Sequence, residues 1–169
     1  ADRYENVLVT QVGTVGMERL RPVVYSALVE ALAADGQQID AIYERNDGPS
    51  RAKEGLQQYK GWWDGLPAPE SARIVVRENG LSFDLDIENS QKTGFFLDQK
   101  YNRRAVRELA RGRRVLDCFC HVGPFGLNAA AGGAELVRCV DVSQTAIDLA
   151  RETPSSTALT TPPSSLTPR

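Results

Sequence analysis

Residues 114–152 alternate between strand-like and helix-like patterns, and this alternation constrains the fold more than any other feature of the sequence. The predicted strands are 114–119 and 136–140, the predicted helices are 126–131 and 143–152, and a tight loop occupies 120–125. Gly132 and Gly133 end the first helix, and Ser143 is a favourable N-cap for the second. Two strands joined through a helix pair in parallel with a right-handed crossover, so the sequence predicts an α/β fold.

The first part of the chain predicts a separate small domain. A β-branched segment at 6–12 is typical of a strand, and the apolar spacing at 20–32 indicates an amphipathic helix with Pro22 in its first turn. A second strand is expected at 39–44.

Two further elements follow. Asn79-Gly80 favours a type I′ turn, and the alternation of apolar and polar residues after it predicts a β-hairpin at 73–87. A helix is then expected from Asp98, acting as its N-cap, to about Arg111. The residues expected to face inward from this helix are Val106, Leu109 and Ala110.

Residues 91–104 carry many polar, charged and aromatic side chains in a short stretch. They place two aromatic side chains beside a glycine, together with amides, a carboxylate and several cationic side chains. This is more polar than packing requires. We interpret the stretch as one wall of a site.

Carboxylates also mark the ends of the two predicted parallel strands, where ligands bind in open α/β sheets. Asp117 belongs to the first strand and Asp141 follows the second, where its carboxylate is placed to accept hydrogen bonds from both hydroxyls of a ribose. Gly123, in the loop between them, permits a ligand to approach the backbone closely. The combination favours a nucleoside cofactor. A nicotinamide cofactor fits poorly, because the loop lacks the first glycine of the G-x-G-x-x-G fingerprint.

Composition narrows the function classes. The net charge of the 169-residue chain is −2, so any contact with RNA must be local. No apolar run approaches the length of a membrane span, and no signal peptide is recognisable, so the cytoplasm is the expected location. The basic cluster between 103 and 114 fits either a solvated helix face or a phosphate-binding surface.

Several residues that could carry chemistry have simpler explanations. A metal site could be built from Cys118, Cys120 and His121, but no second pair of ligands follows in the sequence. The favoured interpretation is that the cysteines are buried small apolar residues. No metal site is therefore predicted. Trp62 and Trp63 could stack on bases, although a role in the core is favoured.

The sequence resembles the bacterial 23S rRNA cytosine-C5 methyltransferases, which use S-adenosylmethionine (SAM). The resemblance rests on three motifs: Gln-Lys-Thr-Gly-Phe-Phe-Leu-Asp-Gln-Lys-x-Asn-Arg at 91–103, Val-Leu-Asp-x-Phe-Cys-x-Val-Gly-x-Phe-Gly at 115–126, and Val-Asp-x-Ser-x-x-Ala at 140–146. It extends upstream to the segments 16–20, 43–45 and 53–56. His121 and Pro124 depart from the family pattern, which often has Tyr and Gly at these positions.

The resemblance implies an α/β fold in which a small α+β central domain precedes an incomplete Rossmann-like class I methyltransferase domain. The corresponding boundaries are 1–89 for the central domain, 90–152 for the first part of the methyltransferase domain, and 153–169 for a Ser/Thr/Pro-rich tail that is expected to be disordered. In the family an RNA-binding PUA domain precedes the central domain.

The resemblance also implies roles for individual residues. Carried over by position, the cofactor-binding residues are Lys92, Thr93, Phe95, Gln99, Asp117, Phe119, Gly123, Asp141 and Val142. Asp117, Phe119 and Gly123 are expected to hold the methionine end, Asp141 the ribose, and Val142 to lie near adenine. Arg103 and Arg104 are the expected RNA contacts, and rRNA is the expected partner.

The family's catalytic residues have no counterpart here. Methylation of cytosine C5 needs a thiolate that adds to C6, and family members carry this cysteine, with an Asp-Pro-Pro-like loop, well after the second strand. The expectation is therefore a methyltransferase fragment that keeps part of the cofactor site and lacks the catalytic half. A non-catalytic fragment that binds SAM or RNA, or that forms a homodimer, remains the alternative.

Overall fold

The computed structural model describes residues 1–90, 93–153 and 166–168 and divides into two compact units. The first consists of Ala1–Ile74 and Asp86–Phe95, and the second of Val75–Leu85 and Phe96–Arg169. The second unit thus includes most of the hairpin that the sequence analysis assigned to the first domain. No helix in the described ranges combines the length and the apolar character that crossing a membrane requires.

A four-stranded sheet forms the centre of the first unit. Its strands are β1 (Asp2–Tyr4), β2 (Val7–Thr10), β3 (Ala41–Asn46) and β4 (Tyr59–Trp62), in that order across the sheet. The central strands β2 and β3 pair in parallel, with Leu8 opposite Ile42, and the edge strands are antiparallel to them. Two helices complete the unit, α1 (Val15–Ala34) and α2 (Pro49–Lys53). The edge strands were not predicted, because neither has the alternation that marks a strand in sequence.

Helix α1 begins earlier than predicted. Thr14 is its N-cap, and the Thr14 hydroxyl accepts a hydrogen bond from Met17 N at 3.4 Å. Pro22 consequently lies inside the helix rather than in its first turn, where it removes one backbone donor. Tyr25 faces the core and meets the edge of the Trp63 ring, with centroids 5.3 Å apart, whereas Leu20 is exposed. Val24, Leu28 and Leu32 pack against the same core, so the predicted apolar face is confirmed there and fails at Leu20.

Charged residues of the upstream family segments serve packing. Buried Glu44 accepts hydrogen bonds from the hydroxyls of Tyr25 and Tyr59, both at 3.1 Å. Arg45 donates to the carbonyls of Ile87 and Ser90, both at 2.8 Å. The Glu44 carboxylate and the Arg45 guanidinium thus find their hydrogen-bond partners within the first unit. Packing therefore explains why the segment 43–45 resembles the family.

The second unit contains a two-stranded hairpin and a parallel sheet. The hairpin strands are β5 (Arg73–Glu78, whose first two residues belong to the first unit) and β6 (Leu81–Asp86, whose last residue does), and the sheet strands are β7 (Arg114–Cys118), β8 (Leu136–Asp141) and β9 (Leu166–Pro168). The helices are α3 (Lys100–Leu109), α4 (Pro124–Ala131) and α5 (Gln144–Glu152). Positive φ angles at Asn79 and Gly80 confirm the predicted turn, and the pairing of β7 with β8 confirms that these strands are parallel.

The segment predicted as a disordered tail differs from that expectation at both of its described ends. Thr153 is buried, and its hydroxyl accepts a hydrogen bond from Asp84 N at 3.0 Å. Leu166–Pro168 pair in parallel with β8, whose open edge supplies the backbone partners that composition alone did not reveal. Residues 154–165 and 169 lie outside the described residues, and their disorder stays a prediction.

Helix α3 corrects two predictions about its ends. Asp98 is not the N-cap, because a 3₁₀ turn at Leu97–Gln99 precedes the helix and includes it. Val106 and Ala110 belong to the core as expected, but Leu109 is 70% exposed.

Arg103 has a different role from the RNA contact expected of it. Its guanidinium is buried and donates twice to the Glu78 carboxylate, with both nitrogen–oxygen distances 2.6 Å. A third hydrogen bond reaches Phe96 O at 2.9 Å, and the guanidinium lies 5.9 Å from the Phe125 ring centre. The side chain is therefore enclosed by protein groups, and RNA phosphates cannot reach it.

We expect Arg103→Met to lower the free energy of unfolding by about 3 to 5 kcal/mol, because the buried Glu78 carboxylate loses its partner. The matched control is Arg104→Met. The Arg104 side chain is 66% exposed, so breaking its ion pair with Glu108 should cost less than about 1 kcal/mol. Urea unfolding followed by circular dichroism measures both variants. Equal losses at the two positions would contradict this assignment.

Candidate functional site

The loop after β7 turns sharply through left-handed backbone conformations. Phe119 has φ 59° and His121 has φ 52°, which non-glycine residues seldom adopt, and Gly123 has φ 77°. Cys120 N donates to Val140 O at 3.1 Å, which ties the loop to β8. Such strain concentrates at binding sites, where the surrounding structure holds it in place.

Asp117 is fixed by the first turn of α4. Its Oδ2 accepts a hydrogen bond from Gly126 N at 2.8 Å. A Cβ at position 126 would collide with the Cys139 sulfur and crowd Val137, so only glycine allows the helix this close to the strands. The sequence analysis quoted Gly126 within a motif but gave it no role. The spacing between Asp117 at the end of the strand and Gly126 at the start of the helix was the sequence signal for this role.

Asp141 is held by two backbone donors. Its Oδ2 accepts from His121 N at 2.8 Å, and its Oδ1 accepts from Ser143 N at 2.9 Å. The Ser143 hydroxyl accepts from Ala146 N at 3.2 Å and caps α5 as predicted. Each carboxylate oxygen of Asp141 can accept another hydrogen bond. The side chain is thus oriented without being saturated.

Burial perturbs the titration of this region. It raises the pKa of Asp117 to about 6, an effect that the hydrogen bond from Gly126 opposes and the negative charge of Asp141 reinforces. Burial also lowers the pKa of His121, against the opposing influence of Asp141. The ionised Asp117 is therefore poorly solvated, and a cationic ligand group beside it would be stabilised.

A cavity of about 270 Å³ opens at the ends of β7 and β8. Three predicted cofactor residues line it, namely Phe119, Asp141 and Val142. The other lining residues, Leu116, Cys118 and Val140, were not predicted, because on their own they read as ordinary strand residues. The cavity offers apolar walls and one carboxylate.

Asp117 lies on the other face of β7. Neighbouring residues of a strand point to opposite sides, so Leu116 and Cys118 face the cavity while Asp117 faces α4. Gly123 is the left-handed residue that precedes α4. Gln99 does not line the cavity; its side chain bonds to Asp98 and Asn102, at 2.8 and 2.9 Å.

The remaining predicted cofactor residues belong to the first unit. Thr93 lies 3.3 Å from the Tyr4 hydroxyl, and Phe95 N donates to that hydroxyl at 3.1 Å. Lys92 lies outside the described residues. Roles for these three residues in cofactor binding stay predictions.

Within the described ranges, no group of three or more His, Cys, Asp or Glu side chains could hold a metal ion. Cys120 and Cys139 are buried as expected, whereas Cys118 is exposed. A hydrogen bond with Cys120, burial and the charge of Asp117 all raise the pKa of Cys139, so its thiol is not a ready nucleophile.

Comparison with known proteins decides the family. The model of the S-adenosylmethionine-dependent methyltransferase family matches residues 57–157, more than half of the chain. The chain belongs to this family. Its cofactor is accordingly SAM, and the matched region includes both strand-end carboxylates.

Curated relatives of this methyltransferase chain include the ribosomal RNA large subunit methyltransferase I of Photobacterium profundum, 45% identical over 150 residues, and that of Shewanella amazonensis, 44% identical over 151 residues. Each match covers 89% of this chain and 36% of the relative. The chain therefore spans about a third of the length of these relatives.

Solved structures support the fold. A Streptococcus mutans protein classed as a SAM-dependent methyltransferase superposes with a TM-score of 0.74 at 21% identity, covering 98% of this chain and 40% of that one. The methyltransferase SMU.776, in complex with SAH, gives 0.73 at 20% identity, with 98% and 39% covered. Trm5b from Pyrococcus abyssi superposes with a TM-score of 0.71 at 22% sequence identity, covering 99% of this chain and 46% of that one.

We expect the raised pKa of Asp117 to make the methyltransferase chain less stable as pH rises. Folded Asp117 holds its proton to about pH 6 and unfolded Asp to about 3.8, so its favourable contribution is complete below pH 3.8 and lost through pH 6. The stability of the wild type relative to Asp117→Asn should fall by on the order of 2 to 3 kcal/mol across this window. Urea unfolding at several pH values measures it. A pH-independent difference would refute the assignment.

Proposed function

We propose that this chain is the cofactor-binding part of a cytoplasmic rRNA methyltransferase that modifies cytosine C5 in 23S rRNA. The observation that carries the proposal is the pair of carboxylates at the ends of adjacent parallel strands, each oriented by backbone N–H groups. The names of the curated relatives support an rRNA substrate. The choice of cytosine C5 rests on the sequence motifs.

The site fits the chemistry of SAM. The free acceptor capacity of Asp141 suits the two ribose hydroxyls, and the apolar walls around Phe119 and Val142 suit the adenine ring. Asp117 offers a desolvated negative charge to the α-amino group, and Gly123 allows close approach of the methionine end. We propose that Phe119 contacts the adenosine rather than the methionine end that the resemblance implies, because it lines the cavity with Asp141 and Val142. When bound, SAM supplies a methyl group on a sulfonium, which is an electrophile.

The chain's own cysteines do not supply the nucleophile for this chemistry. Attack on C6 requires a thiolate, which turns C5 into a carbon nucleophile for the methyl group. Cys120 and Cys139 are buried, and Cys118 lies within β7. We propose that the thiolate comes from residues that the curated relatives carry outside the third of their length matched here. This chain then binds and orients the cofactor.

The second candidate is a chain that binds SAM or RNA without catalysis, and the burial of Cys120 and Cys139 favours it. The two candidates differ in turnover. Methyl transfer from labelled SAM to 23S rRNA is measured with a chimera in which this chain replaces the matching third of the Photobacterium profundum relative. Transfer by the chimera would exclude the second candidate, and cofactor binding without transfer would favour it.

We expect Asp141→Ala to abolish recognition of the ribose. The wild type should bind S-adenosylhomocysteine more tightly than its 2′-deoxy analogue, and Asp141→Ala should weaken binding of the former by about 1 to 3 kcal/mol. The variant should no longer distinguish the two ligands. Isothermal titration calorimetry measures all four affinities. A general loosening of the loop would weaken the binding of both ligands equally. If the variant still binds S-adenosylhomocysteine more tightly than the 2′-deoxy analogue, the ribose assignment is wrong.

A further inference from the structure

A basic groove lies along the second half of α3, and neither Asp117 nor Asp141 is part of its lining. It has a volume of about 550 Å³. Its lining includes Arg104, Arg107 and Arg111, with Glu108 among them and with Asn79 and Gly132 on the facing wall. Three guanidinium groups against one carboxylate give the lining a local charge of opposite sign to the chain, whose net charge is −2.

Local geometry holds part of this lining in place. Arg107 donates to Asn79 O at 2.6 Å, and Asn79 Nδ2 donates to Lys100 O at 3.2 Å, so the hairpin turn anchors this arginine. A Cβ at Gly132 would collide with the Arg107 carbonyl, so glycine brings the end of α4 against α3. The groove is therefore built by three elements of the second unit rather than by one mobile helix.

The other two arginines present their charge to solvent. Arg104 is 66% exposed on its side chain, and its partner Glu108, at 3.2 Å, is 65% exposed, so the pair is a weak surface interaction that a phosphate can displace. Arg111 follows the end of α3 and is exposed. Arg103, the neighbour of Arg104, points inward to Glu78 and does not contribute.

We propose that this groove, defined by Arg104, Arg107 and Arg111, binds the phosphodiester backbone of the RNA substrate. The inference rests on the proposed function, since it names the surface by which the chain holds its substrate. Guanidinium groups bind phosphate through paired hydrogen bonds, and three of them spread along one wall suit a chain of phosphates better than a single small anion. On a chain with net negative charge, RNA must be held where positive charge is concentrated.

The test compares two double variants with one control. Arg104→Gln with Arg111→Gln removes two positive charges from the groove. Arg107 is left in place, because it holds the hairpin turn by its hydrogen bond to Asn79 O. Arg104→Lys with Arg111→Lys keeps the charges. Arg151→Gln is the matched control, because Arg151 also pairs with an acidic neighbour on its own helix, Asp148 at 3.3 Å. Circular dichroism establishes that each variant is folded.

Fluorescence anisotropy with a labelled single-stranded oligocytidylate, over a series of KCl concentrations, measures binding. We expect the glutamine pair to weaken binding about tenfold at low salt and to reduce the slope of log Kd against log salt by about 1.4, as for two lost phosphate contacts. The lysine pair and Arg151→Gln should keep most of the wild-type affinity and slope.

Two results would overturn the inference. In the first, the Arg104→Gln, Arg111→Gln variant binds the oligocytidylate as tightly as the wild type does. In the second, the wild type does not bind the oligocytidylate. Calorimetry with S-adenosylhomocysteine on the same proteins separates the two proposals. A wild type that binds the cofactor but not the oligocytidylate counts against the groove alone, whereas failure of the wild type to bind the cofactor counts against the proposed function.

Discussion

The close approach of α4 to strands β7 and β8 is the constraint on which the second unit depends. Because Gly126 has no side chain, its N–H reaches Asp117 and the helix packs directly on Cys139 and Val137. The same approach forces the preceding loop through left-handed conformations, and these direct His121 N toward Asp141. One missing side chain thus orients both carboxylates of the site.

The sequence predicted the elements whose signals are local. The hairpin around Asn79-Gly80, the parallel pairing of β7 with β8 and the Ser143 cap all follow from short patterns, and all are present. The edge strands β1 and β4 were missed, because short edge strands depend on the neighbour they pair with. The exposure of Leu20 in α1 was missed for a similar reason, since contact with Trp63, far along the chain, decides which turn of the helix is buried.

The site was predicted in part. Asp141 and Val142 do line one cavity with Phe119, but the facing of Asp117 toward α4 required the register of the sheet. Charged motif residues were the hardest to interpret. Arg103 looks like a binding group in sequence, yet its guanidinium is bonded entirely to protein partners, Glu78 and Phe96. Sequence shows that a charge is present, while only packing shows whether it faces a ligand or a neighbouring strand.

The hydroxyl of Tyr4 has a consequence for the order of folding. It is buried and lies 3.0 Å from the carbonyl of Phe95, a residue 91 positions along the chain. Contacts of such separation form after local structure, because the intervening chain must first be confined. We therefore expect the segment at Thr93 to Phe95, part of the most specific motif of this methyltransferase chain, to take its final shape only after the first strand has joined its sheet.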